Sequence, residues 1–217
     1  LYLAERGQAV LLASGFFLLQ ALYFLANQAA GCFDDQGTLI AGCGARVNGL
    51  RVSSVVSTLA VVSSISSAVF TPFAGAIIDH TPYRRGFGRA LTLVVAMVTG
   101  LQAIVLPETW FALLIINACI VPALVWLNTI RTSYLNSVAI EDEERVRVIS
   151  TLRLLSIALA VAAVAILFLV QLGLGVDVIW MARIAHISCV VVASPCLVMA
   201  WVLLKPRPTL QELKAGE

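Results

Sequence analysis

Six long apolar runs dominate this sequence, at residues 10–30, 52–78, 90–106, 110–130, 150–172 and 178–204. Each is of the ~20-residue order that a helix needs to cross the hydrocarbon core of a bilayer. None alternates with period two, which disfavours a transmembrane barrel, and a spanning helix satisfies its own backbone groups without water. With 60% of its 217 residues hydrophobic and 12% charged, against roughly half and a quarter in an ordinary soluble domain, a simple globular enzyme is excluded. The balance of 14 Lys and Arg against 12 Asp and Glu offers no large basic face, so nucleic acid is not an expected partner. The expected fold class is an all-α membrane protein: six transmembrane helices over residues 1–204, surrounded by lipid, with 205–217 the start of a polar linker.

Orientation follows from where the cations fall. With a cytoplasmic amino terminus, 11 of the 14 basic residues sit inside: Arg6, Arg84, Arg85, Arg89, Arg131, Arg145, Arg147, Arg153, Lys205, Arg207 and Lys214. Only Arg46, Arg51 and Arg183 fall outside, a strong positive-inside bias that places both termini in the cytoplasm. Residues 107–109 form a connector so short that the third and fourth helices must be antiparallel neighbours. The chain starts with Leu and shows no small-residue cleavage pattern, so no signal peptide is expected and it reads as a trimmed product.

The stretch TPFAGAIIDHTPYRRGFGR closes the second run. Gly75 and Asp79 are four apart and share one helical face. Gly75 would permit close helix approach, and Asp79 would accept from amides or pair with Arg84, Arg85 or Arg89. This resembles the loop between the second and third helices of the major facilitator superfamily. There a glycine, an aspartate four residues later and a following basic pair gate the cytoplasmic side. His80 departs from the family's basic residue after the aspartate, and the basic pair comes one position late. The resemblance implies the amino-terminal six-helix half of such a transporter, with Gly75, Asp79, Arg84, Arg85 and Arg89 as gating loop. The alternative for the arginines is a topological anchor without a gating role.

Within that superfamily, GAIIDHTPYRR together with RTSYLNSVAIEDEERVRVISTLRLLS resembles the vacuole effluxer family of autophagy-linked amino-acid exporters, over residues 70–155. Tyr134, Leu135, Asn136, the acidic run 141–144 and Ser150 carry the second part. The resemblance implies neutral amino acids as solute and a vacuolar or lysosome-like membrane, with the plasma membrane as the other candidate.

Polar residues inside the spans are candidates for contacting solute: Gln20 and Asn27 in the first, Asn117 and Asn128 in the fourth, Arg183 and His186 in the sixth. The serines of the second span read better as small residues that let helices approach. Arg183 and His186, three apart, share a face and suit a carboxylate or a coupled proton. Equally, Arg183 reaches the outer surface beside Trp180 and Asp177. Glu141, Asp142, Glu143 and Glu144 suit a solvated helix start rather than a metal or acid–base cluster. Cys119, Cys189 and Cys196 read as packed apolar groups, whereas Cys32 and Cys43 share the first outer connector and are either a disulfide or two free thiols.

The leading expectation is a secondary active transporter half that moves a small polar solute by alternating access. Its partner would be a second six-helix half, either a missing carboxy-terminal part or another chain. A proton is the candidate coupling ion. A non-transporting scaffold or assembly subunit is the second reading. An intramembrane enzyme is the third, and it lacks a serine nucleophile anywhere in residues 115–127. No P-loop, cofactor or metal site is implied.

Overall fold

The computed structural model describes residues 2–203, apart from 35, 81–83 and 137–141. Six helices follow in order: α1 Tyr2–Ala29, α2 Val52–His80, α3 Arg84–Gln102, α4 Trp110–Asn136, α5 Asp142–Leu174 and α6 Val178–Leu203. Between α1 and α2 lies a two-residue hairpin, β1 Arg46–Val47 and β2 Leu50–Arg51, paired in antiparallel register. Its turn is Asn48-Gly49, both at positive φ, as the tight hairpin turns require.

The class expected from hydropathy is the class observed, an all-α membrane protein, but the six spans are not equal. Among the described residues five helices are long and apolar enough to cross a bilayer; α3 is not among them. It opens on Arg84, Arg85 and Arg89, and the remainder, residues 90–102, rises only about 20 Å, short of the ~30 Å hydrocarbon core. The helices also outrun the apolar runs. α1 starts eight residues before its run and α5 starts at Asp142 rather than Ser150, because charged residues that end a hydropathy window do not end a helix. The expected linker, 205–217, lies outside the described residues.

Two apolar clusters mark the ends of the bundle. One gathers Phe17, Leu25, Cys32, Val52, Trp110 and Met181; the other gathers Ala4, Leu91, Leu127, Ile130, Leu197 and Trp201. Each helix runs from one cluster toward the other, in alternating direction. The start of α1 and the end of α6 therefore share one end, the terminal end, and the Cys32–Cys43 disulfide lies at the other. At the α1–α6 contact Gly7 leaves room that a side chain would not: an added Cβ would lie 2.8 Å from Leu197 Cγ and 3.0 Å from the Ala193 carbonyl.

The larger helix pairs follow a repeating pattern, though α1 and α6 pack far more extensively than α3 and α4, and α5 touches α6 without an equal α2–α3 contact. α1 packs on α5 and α6, and α4 packs on α2 and α3; α3 meets α6, and α1 meets α4. Exchanging α1, α2, α3 for α4, α5, α6 maps these pairs onto themselves with direction reversed. The order around the bundle is α5, α1, α6, α3, α4, α2, leaving an open face where α2 and α5 flank the α1–α4 contact. Ser156 is the only buried residue among those described in α5, and α2 exposes Val61, Ile65, Val69 and Phe73.

Candidate functional site

On the open face, α1, α2 and α4 enclose a cavity of about 200 Å³, lined by Leu19, Val56, Ser63, Ser64, Asn117 and Ala118 among others, none of them charged. Gln102 of α3, itself buried, donates to Asn117 Oδ1 at 3.2 Å, which leaves the Asn117 amide nitrogen for the cavity. Pro122 sits inside α4 and has no N–H for the Ala118 carbonyl four residues earlier. Asn117 is thus the side chain that brings a free donor to this wall. The serines add little polarity, because Ser63 and Ser64 donate to Leu59 and Ala60 of their own helix, as hydroxyls in membrane helices do. A shallower apolar groove of about 370 Å³ lies between α1 and α5, along Leu12, Ala13, Val161, Val164 and Phe168.

A second polar centre lies at the terminal end, and the sequence reading missed it. Glu5 of α1 is buried and pairs with Arg131 of α4 at 3.0 Å. The same guanidinium donates to Asn128 Oδ1 at 2.7 Å, and Arg153 of α5 donates to that oxygen at 3.0 Å. Two cations and one carboxylate thereby tie three helices. Glu5 Oε2 and Arg131 Nε find no partner. Beside them is a small enclosed cavity lined by Gln8, Asn128 and Arg131. In the sequence Glu5 looks like part of a charged preface to the first span, and Arg131 and Arg153 look like topological cations. The readable signal was Asn128 and Arg131 three apart inside an apolar helix, one face of one turn.

The other candidates are placed as follows. Arg183 donates to the Val105 carbonyl at 2.6 and 3.2 Å and lies over the Trp180 ring at 4.6 Å. It therefore holds the connector just after α3 and does not line the cavity. His186 is buried, with Nδ1 at 2.9 Å from the Ala182 carbonyl of its own helix, so the shared Arg183–His186 solute face does not form. Asn27 likewise donates to Tyr23 O of its own helix. Gln20 is half-buried on α1. Asn128 is engaged by the two arginines, leaving Asn117 as the one expected amide at the cavity. Cys32 and Cys43 are bonded to each other.

The expected gating loop separates into parts. A Cβ at Gly75 would meet nothing within 4 Å, so within this chain no close approach depends on it. The side chains of Asp79 and Arg84 lie outside the described residues. Arg85 donates to the carbonyls of Trp201 and Val202 at 3.0 and 2.8 Å. Arg89 is exposed. Arg85 thus closes the carboxyl end of α6, a cation on the negative pole of the antiparallel neighbour, whereas Arg183 holds the connector three residues beyond α3. Gly88 lies under the Trp201 ring, where a Cβ would overlap it, and Trp201 Nε1 donates to Thr92 Oγ1 at 2.7 Å.

No family model, curated protein or solved structure matches this chain. What fold and site define is a class: an all-α membrane protein with an uncharged, largely apolar cavity that holds one amide, on an open helical face.

Proposed function

We propose that this chain forms one six-helix half of a secondary transporter of the major facilitator type, moving a small polar solute by alternating access. The observation that carries the reading is the packing symmetry: two three-helix units of opposite direction, the inverted repeat found inside each half of such transporters. In this reading α3 crosses with the rest, because it runs antiparallel to α6 from Arg85 at Trp201 to Val105 at Arg183. Both termini are cytoplasmic, in keeping with the basic residues of the terminal end. The open face receives the second half along α2 and α5, whose outward apolar surfaces have no cover among the described residues. The solute site is completed at that junction.

The cavity at Asn117 offers hydrogen bonds but no charge. It suits a neutral polar group, and the charge partners of a zwitterionic amino acid would come from the second half. Neutral amino acids, the solute implied by the vacuole effluxer resemblance, are the first to test. The gene product containing these residues, reconstituted in liposomes, should exchange radiolabelled neutral amino acids faster than protein-free liposomes. Ala118→Leu, which fills the cavity, should slow exchange while the protein still elutes and unfolds as the parent does. Folded protein that exchanges no polar solute would overturn the proposal and favour a scaffold.

A further inference from the structure

On the side of the bundle away from the open face, α3 and α6 form a groove at the terminal end of about 120 Å³. Its lining is Arg89, Thr92, Leu93, Val198, Trp201 and Val202. We propose that it binds one anionic phospholipid, with the headgroup phosphate on Arg89 and an acyl chain along Leu93, Val198 and Val202.

The floor is apolar because its polar atoms are already used. Gly88 admits the Trp201 ring against α3. The indole N–H donates to Thr92 Oγ1, and that hydroxyl donates to the Gly88 carbonyl at 2.9 Å. Leu93, Val198 and Val202 are exposed, on helix faces that no other described residue covers. An acyl chain is the matching occupant in a bilayer.

The mouth is basic. Arg85, four residues before Arg89 and on the same face, is engaged by the α6 carbonyls. Among the described residues Arg89 has neither an ion-pair nor a hydrogen-bond partner, and neither α3 nor α6 contains an acidic residue. A guanidinium on a lipid-facing helix is held there by reaching back to the headgroup level. At that level the phosphate is a fork-matched acceptor. A zwitterionic lipid carries its own cation beside the phosphate. A net-negative lipid does not, and it gains the field of Arg85 as well.

The test is independent of transport. The purified full chain, in micelles of zwitterionic detergent, is titrated with phosphatidylglycerol or phosphatidylcholine and examined by native mass spectrometry and thermal unfolding. One phosphatidylglycerol should be retained per chain, with a saturable rise in unfolding temperature that phosphatidylcholine does not reproduce. Arg89→Gln should weaken retention at least tenfold. Val198→Trp, which fills the groove and keeps the cation, should weaken it as well, and Arg46→Gln at the opposite end should not. Equal retention of the two lipids, or unchanged retention in Arg89→Gln, would overturn the proposal. So would full protection by inorganic phosphate alone, which would define an anion site without a lipid.

Discussion

Glu5 and Arg131 show how much one buried pair decides. Both side chains are almost fully enclosed, so removing one partner leaves a charge with no water to receive it. Arg131→Gln should destabilise the bundle by about 3–5 kcal/mol, the range for breaking a buried ion pair. Glu5→Gln in the same chain should recover much of that loss, because no buried carboxylate then remains without its cation, and Arg153 keeps its bond to Asn128. Thermal or denaturant unfolding of the three variants in detergent gives the coupling directly. Simple addition of the two single losses would show that the pair does not act as one unit. The glycines provide a second contrast. Gly88→Ala should destabilise by about 1–3 kcal/mol through overpacking against Trp201. Gly75→Ala, which meets open space, should be neutral or gain up to ~1 kcal/mol in helix propensity. The two are indistinguishable in the sequence; only the neighbour across the gap separates them.

Between elements, the decisive feature is the reciprocal closure of α3 and α6. Arg85, at the start of α3, bonds the last-turn carbonyls of α6 at Trp201 and Val202, and Arg183, in the second turn of α6, bonds Val105 in the connector just after α3. Charged hydrogen bonds of this kind contribute about 1.5–3 kcal/mol each when partly buried. Arg183→Gln should therefore speed amide exchange at the end of α3 and the turn after it, and Arg85→Gln should speed exchange at the end of α6. Hydrogen exchange read by mass spectrometry separates the two, and identical changes in both variants would argue against a paired clasp. The sequence made the α3–α4 hairpin legible, since a connector at 107–109 permits little else. It did not make Arg183 legible: two roles were open at that depth, and the choice depended on the Val105 carbonyl, far away in the chain. The same holds for Asn117 and Asn128, amides on one helix of which one faces a cavity and the other is engaged by two cations.

For the whole molecule, the alternating directions put the start of α1 and the end of α6 at one end of the bundle and the disulfide-closed connector at the other; the proposed arrangement places these on opposite sides of the membrane. Tags at the two termini should be digested together by protease added to one face of sealed vesicles. Cys32 and Cys43, after reduction, should react with an impermeant maleimide only from the opposite face. Tags reporting opposite sides would contradict the arrangement. Reduction itself should remove up to ~3 kcal/mol on the loop-entropy account, for a separation of 11 residues.

Hydropathy alone determined that this chain is helical and membrane-embedded, because a bilayer leaves backbone amides no other partner than their own helix. It determined roughly where each helix lies. It could not determine where helices end beyond their apolar cores, since charges stop a hydropathy run without stopping the hydrogen-bond ladder. Nor could it assign partners. Whether a polar side chain meets a cavity, a carbonyl or another charge depends on contacts between segments up to 117 residues apart, and only the tertiary packing brings those together.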